Sequence, residues 1–301
     1  MKNIFIGVGV VVLIILGIYF VMPKSDDLDI RTDYENVVVE NLIPEEVEVV
    51  VEETGPESVI GQSVSGNGIK AYSYGEGKEE ILFVGGIHGG YAWNTSLLAY
   101  EVIDYLEAHP EIIPTNLKVT VIPVLNPDGL KTTTGKTERF TIQDVPIQES
   151  SLVAGRFNAN GVDLNRNFDC DWQSTGTWKN TAVSGGNSVF SEPEALAIKD
   201  YITNKKPAAV VVWYSAAGGV YASSCHNGVL AETQNITKAY ASASGYTSNV
   251  QFDSYEITGD MVNWLASKEI PAISVLLKNH TDIDWEENKN GIETLLQYYS
   301  K

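Results

Sequence analysis

The sequence predicts an α/β domain in which a mixed central sheet is flanked by helices on both faces. Three observations predict it: wholly apolar runs of strand length, helical stretches between them, and a 301-residue chain that is 44% hydrophobic. Strands buried on both faces read as continuous apolar runs, and their alternation with helices implies a largely parallel or mixed sheet. The composition supports a packed core and excludes disorder of the whole chain.

The strands are read at 81–84, 119–124, 209–213 and 272–277, each ending near Gly, Asn or other polar residues. Helices are read at 95–108, 192–204, 231–241 and 259–268. Before the second of these, Ser191 followed by Glu194 reads as a capping box, with Pro193 in the first turn where its missing N–H is harmless. Sites in such sheets collect at the carboxyl ends of the strands.

The N-terminal part has a different character. Residues 4–22 carry no charge and are long enough to cross a bilayer core as a helix. A cleaved signal peptide would have a shorter apolar stretch and small residues at its end, whereas Pro23, Lys24, Ser25 and Asp26 follow here. Residues 1–22 are therefore read as an uncleaved signal anchor, a single transmembrane helix with Lys2 on the cytoplasmic side. The domain is then extracytoplasmic, at the cell surface or in the periplasm.

Net charge supports the partition. Of the total of −19, residues 23–60 contribute −10 and the far longer stretch 61–301 contributes another −10, offset by Lys2. Segment 23–58 is read as a solvated, self-repelling stalk, part of which could form an edge strand, and 59–301 as the folded domain. Binding to nucleic acid is excluded, because no basic patch offsets the acidic balance. Two cysteines are too few for a disulfide scaffold, yet they can form one bridge in an oxidising compartment.

The informative residues fall at the strand ends. The strand at 81–84 runs into Gly85-Gly86-Ile87-His88-Gly89-Gly90, and that at 119–124 into the turn signal Asn126-Pro127-Asp128-Gly129. Arg156 to Phe168 then reads RFNANGVDLNRNF. Alone, a histidine among glycines is more often structural than a ligand, and Asn-Arg-Asn more often a hydrogen-bonded surface than a site.

Together with FSEPE at 190–194, WYSAAGG at 213–219, Tyr255 through GDMVNWL, and PAISVLLKNH at 271–280, these stretches resemble the zinc carboxypeptidase family, the carboxypeptidase A-like metallopeptidases. The resemblance runs from about residue 60 to 298. It implies a catalytic zinc held by a His and a Glu on the first strand-end loop and a second His on a later strand. Such a zinc activates water for attack on a carbonyl, with a glutamate as general base.

The resemblance assigns roles residue by residue. His88 falls on the first metal ligand and Asp163 on the acid that orients it. Arg156 falls on the carbonyl-polarising arginine and Tyr255 on a mobile tyrosine, the two catalytic positions that remain. Asn165, Arg166 and Tyr255 fall on the clamp for the substrate's terminal carboxylate, which a guanidinium fork suits.

The other metal and base positions do not match. Neither Tyr91 nor Ala92, the two places for the ligand glutamate, carries a carboxylate, and the resemblance assigns the position to Ala92. Tyr214 stands where the second ligand histidine belongs, and Leu276 where the general base belongs. Losing two zinc ligands costs far more than the roughly 10–100-fold that even an outer partner is worth.

Two functions follow as expectations. The first is a pseudoenzyme that binds the C-terminal carboxylate of a peptide or peptidoglycan stem without cutting it, zinc being absent or weakly held. The second is an active metallocarboxypeptidase with a nonstandard metal site, for which His88, His226 and a tyrosinate or aspartate are the conceivable ligands. A serine-hydrolase reading fails, since Ser215 and Ser184 lack a nucleophile-elbow context. Val262, near the family's side-chain pocket, favours apolar or neutral terminal residues. By the same resemblance Cys170 and Cys225 border one cleft and form a possible disulfide.

Overall fold

The apolar runs become the inner strands of a sheet because no residue in them faces water. In the computed structural model, which describes residues 55–300, Leu82, Phe83, Val84, Val210, Val211, Val212, Ile273 and Val275 are fully buried. The elements are, in chain order, β1 (Glu57–Gln62), β2 (Gly68–Tyr74), β3 (Glu79–Val84), α1 (Trp93–Ala108), β4 (Leu117–Ile122), α2 (Pro127–Thr134) and α3 (Glu149–Ala154). There follow β5 (Thr175–Trp178), β6 (Thr181–Ser184), α4 (Pro193–Lys205), β7 (Ala209–Ser215) and β8 (Gly219–Ala222). The last are α5 (Ala231–Ser244), β9 (Thr247–Asn249), α6 (Met261–Ser267), β10 (Ala272–Leu277) and α7 (Trp285–Tyr298).

Eight strands form one mixed sheet in the order β1-β2-β4-β3-β7-β10-β8-β9, and β5 and β6 form a separate hairpin. The inner strands β4, β3, β7 and β10 run parallel, while β1 pairs antiparallel with β2, β2 with β4, and β8 with β10; β9 runs parallel to β8. Their alternation divides the core. Ile81, Phe83, Val211, Trp213, Val275 and Leu277 pack with residues of α1, α5 and α7 on one face. Leu82, Val84, Val212, Tyr214 and Leu276 pack with α4 and α6 on the other. Phe83 stacks on the fully buried Trp213 with ring centroids 5.3 Å apart. Because Leu276 lies opposite Tyr214 in the β10–β7 register, both side chains reach the same face at the carboxyl ends of parallel strands.

Two local readings change. The Asn-Pro-Asp-Gly segment does not merely turn; it opens α2, with Asn126 as N-cap accepting the Gly129 N–H at 2.8 Å and Pro127 in the first turn. The capping box at Ser191 does not form. Glu192 is the N-cap of α4, and the Ser191 hydroxyl donates to Glu192 Oε1 at 2.8 Å while accepting from Asn167. Glu194 instead accepts the Val64 N–H at 3.1 Å, fastening α4 to the turn after β1.

Strand β1 begins at Glu57, inside the segment read as stalk. The apolar segment 4–22 and stalk residues 23–54 lie outside the described residues. Among the described residues no helix is long and apolar enough to cross a membrane.

A disulfide joins Cys170, in the loop before β5, to Cys225, in the loop after β8. It closes a loop across a sequence separation of 55. Restricting the unfolded chain over such a loop is worth about 2–4 kcal/mol. The double variant Cys170→Ser/Cys225→Ser is accordingly expected to lose about that much stability in urea unfolding, with a lowered midpoint and a native-like far-ultraviolet circular dichroism spectrum.

Candidate active site

Glycines bring His88 and Arg156 together. Gly89, in the left-handed region at φ 42°, and Gly90 press against α2 and the end of α3. A Cβ on Gly89 would lie 2.6 Å from the Gly155 carbonyl oxygen, and one on Gly90 1.9 Å from Thr133 Oγ1. The Gly90 N–H donates to the Gly155 carbonyl at 3.0 Å. That contact sets His88 beside Arg156, the residue after Gly155.

Asp163 is the hub. It is fully buried and sits before a single 3-10 turn, Leu164–Arg166, whose Asn165 N–H it accepts at 3.1 Å. Arg156 approaches its Oδ2 with Nε at 2.9 Å and Nη2 at 2.8 Å. His88 Nε2 lies 3.5 Å from Oδ1. Burial alone would raise the carboxyl's pKa, but Arg156, His88 and Arg166 outweigh it and hold Asp163 well below the usual carboxylate range. Burial and the Arg156 charge push His88 down to about 4, so its imidazole is neutral at pH 7. His88 Nδ1 has no hydrogen-bond partner.

These residues open onto a cavity of about 760 Å³ lined by His88, Arg156, Asn165, Arg166, Tyr214 and Tyr255, among others. Asn165 is held by its oxygen, which accepts from the Tyr214 hydroxyl at 3.2 Å and the Met261 N–H at 3.1 Å. Its amide donors remain for the cavity. Arg166 is almost wholly buried. Its Nε and Nη2 donate to the Thr177 carbonyl at 3.2 and 2.6 Å, and its Nη1 to the Asn165 carbonyl at 2.7 Å. A guanidinium has five N–H donors. Three are used, which leaves one each on Nη1 and Nη2 for a ligand carboxylate. Tyr255 is half-buried, edge-on to Phe252 at 5.0 Å.

Of the two candidate places for the ligand glutamate, Tyr91 lines the cavity and Ala92 does not. Ala92 is buried at the N-cap of α1, because the turn after His88 carries the chain into the helix there. The assignment therefore moves to Tyr91. Its hydroxyl lies 3.4 Å from His280 Nε2 and 3.3 Å from Lys179 Nζ. Tyr214 offers a hydroxyl that burial keeps protonated, its pKa being raised well above the ordinary value. Leu276 offers no donor.

A catalytic zinc needs three protein ligands. At the family's ligand positions the cleft offers His88 Nδ1 alone, since Asp163 is engaged by Arg156 and Tyr214 by Asn165; Asp260 and His280 also line it, but among the described residues no three ligand atoms converge there. The residues present do not fit the metal. His226 does not join His88. It is exposed and 3.3 Å from Asp171, beside the disulfide. Among the described residues Cys170, Asp171, Cys225 and His226 are the one grouping of His, Cys, Asp or Glu whose ligand atoms converge, and both its sulfurs are in the bridge. His109 is exposed, 3.4 Å from Glu111. Ser215 donates to Asn94 Oδ1 at 2.8 Å and has no histidine partner.

The profile of the zinc carboxypeptidase family (peptidase M14) matches residues 54–289. The chain belongs to the zinc carboxypeptidase family. Gamma-D-glutamyl-L-diamino acid endopeptidase 1 of Lysinibacillus sphaericus is 25% identical over 226 residues, covering 65% of this chain and 54% of that protein. Carboxypeptidase O of Bos taurus is 37% identical over 93 residues, 30% of this chain and 23% of that protein. The chain thus spans about half or less of these relatives' length.

Among solved structures, murein-tripeptide amidase MpaA from Escherichia coli O157 superposes with a TM-score of 0.57 at 20% identity, covering 81% of this chain and 93% of that one. Bovine thrombin-activatable fibrinolysis inhibitor gives 0.61 at 17% identity, covering 82% and 88%. Both likenesses concern the zinc carboxypeptidase fold.

The sequence reading missed Trp178, Lys179 and Asp260, which line the cavity together with His280. Trp178 carries the Arg156 guanidinium over its ring at 4.4 Å. Their signals were weak: a short hairpin for the first two, and for Asp260 a family-like stretch in which other residues drew the reading.

The buried ion pair yields a prediction. Arg156→Ala would leave Asp163 uncompensated and is expected to destabilise the fold by about 3–5 kcal/mol at pH 7. A depressed folded-state pKa stabilises above the ordinary aspartate range, and that contribution drains as pH falls below about 4. The difference between wild type and variant should therefore shrink in urea unfolding series taken from pH 7 down to pH 3.

Proposed function

We propose that the cleft is a receptor for the C-terminal carboxylate of a peptide or peptidoglycan stem, and that the chain binds such a ligand without hydrolysing it. The observation that carries this reading is the split within one cavity. Asn165 and Arg166 are rigidly held with donors left over, while Tyr91, Tyr214 and Leu276 stand where a metalloenzyme needs ligands and a base. Charge-assisted hydrogen bonds from a buried guanidinium are strong enough to select a carboxylate.

The relatives support a peptide-like ligand. One is named for a gamma-D-glutamyl-L-diamino acid bond and another for a murein tripeptide, so a cell-wall stem is the natural candidate. In this reading Arg156 is held by Asp163 and faces the ligand's last amide carbonyl, and Tyr255 covers the ligand from the loop before α6. Residues 4–22 anchor the chain in a membrane, the acidic segment 23–58 spaces the domain from its surface, and the domain lies outside the cytoplasm, where the Cys170–Cys225 bridge would persist.

Calorimetric titration of the full chain with a tripeptide and with its C-terminal amide tests the reading. The free acid is expected to bind about 10–100-fold more tightly, by the worth of one or two charge-assisted hydrogen bonds. Arg166→Lys, which keeps the charge and loses the fork, should remove most of that difference. No terminal residue should be released. Equal affinity for acid and amide would refute the carboxylate receptor, and chelator-sensitive release of the terminal residue would refute the loss of catalysis.

A further inference from the structure

Outside the cleft, metal-ligating groups converge at the disulfide. Cys170, Asp171, Cys225 and His226 bring their ligand atoms within 4.8 Å of one another. Both cysteines sit just beneath the surface, while the Asp171 and His226 side chains are 60% and 70% exposed. An exposed Asp–His pair is worth little by itself. What marks this one is its place in the chain. Each partner directly follows a bridged cysteine, and each is a non-glycine residue in the left-handed region, Asp171 at φ 52° and His226 at φ 39°. In extended backbone, consecutive side chains point to opposite sides. The left-handed backbone turns each pair back on itself, and the four groups converge.

The spacing suits a tetrahedral ion. Zinc bonds of about 2.0–2.3 Å set neighbouring ligand atoms about 3.3–3.8 Å apart. His226 Nε2 already lies 3.3 Å from Asp171 Oδ1, and Asp171 Oδ2 lies 3.9 Å from Cys170 Sγ. Only the sulfurs are too close, because they are bonded to each other. The loops that carry them are also held without that bond. The Cys170 carbonyl accepts the Gly259 N–H at 2.7 Å, and Ser224, next to Cys225, donates its N–H to Asn263 Oδ1 at 2.9 Å. With the two Cα atoms 6.3 Å apart, side-chain rotation is enough to part the sulfurs once the bridge is opened.

We propose that Cys170, Asp171, Cys225 and His226 form a zinc site that is closed while the bridge is intact and opens when a dithiol reduces it. One thiolate of the dithiol attacks a sulfur of the bridge, and its second thiol resolves the mixed disulfide. The dithiol leaves as its own disulfide, and two electrons and two protons have passed to Cys170 and Cys225. Zinc then displaces both thiol protons and adds the Asp171 carboxylate and the neutral His226 imidazole. Two thiolates with an imidazole favour zinc over magnesium or calcium, which prefer oxygen. The site stands behind the cleft wall rather than in it, since Ser224 and Asn263 both line the cavity.

The test reduces the full chain with a phosphine, which takes an oxygen from water and leaves as its oxide. The chain is then freed of reductant without air, equilibrated with zinc salt and stripped of free metal. About one zinc per chain is expected, where the oxidised chain retains well below one. Cobalt in place of zinc should give thiolate-to-metal charge-transfer absorption and the strong visible bands of a tetrahedral ion. Asp171→Ala and His226→Ala should each weaken zinc binding by about tenfold or more, since even an outer partner is worth that much. Cys170→Ser/Cys225→Ser should abolish it. Because the metal binds the folded chain, zinc should also raise the urea midpoint of the reduced protein. Uptake that survives the double cysteine variant, or that His88→Ala removes, would overturn the proposal. So would no uptake, an affinity unchanged in both the Asp171 and His226 variants, or a reduced chain whose native circular dichroism is lost and not restored by zinc.

Discussion

The cleft is organised around a carboxylate that has no access to water. Asp163 is fully buried, and a lone charge there would be expelled or neutralised. It is kept ionised by Arg156, and it spends its other oxygen on the turn that presents Asn165 and Arg166. His88 stands at the remaining side. One ion pair thereby fixes three segments of chain relative to one another: the glycine loop after β3, the end of α3, and the turn before β5. Breaking a buried pair is costly because the surviving charge has nowhere to go. The geometry of the clamp thus depends on a contact that does not touch the ligand.

Charge in the cavity then has a definite arrangement. Arg166 is anchored by carbonyls rather than by an acid, so its positive charge is available. Arg156 is matched by Asp163, and the buried Asp260 feels the Arg166 charge while its Oδ1 has no hydrogen-bond partner. The zinc carboxypeptidase fold supplies the cleft at the carboxyl ends of its parallel strands. In the function proposed above, tyrosines and a leucine stand in that cleft where the family's chemistry needs ligands and a base. Tyr214 serves as a structural donor to Asn165.

Much of the fold was legible because burial on both faces makes 81–84 of β3, 209–213 of β7 and, Ser274 apart, 272–277 of β10 continuous apolar runs. The clamp was legible because Asn165 and Arg166 lie within a long matched stretch. Other features were not. The half-exposed hairpin of β5 and β6 carries Trp178 and no continuous apolar run. Helix α7 is rich in polar residues and was not read at all. The choice between Tyr91 and Ala92 turned on where a turn becomes a helix, which spacing does not reveal. Asp260 escaped because a buried acid and a solvated one look the same in sequence; only its unpaired oxygen distinguishes it.

We propose that this zinc carboxypeptidase fold keeps recognition and lacks the metal centre. The most direct measurement is the zinc retained per chain after equilibration with zinc salt under non-reducing conditions and removal of free metal. With one imidazole in place of three ligands, the account predicts well below one equivalent. One tightly held equivalent that His88→Ala abolishes would contradict it.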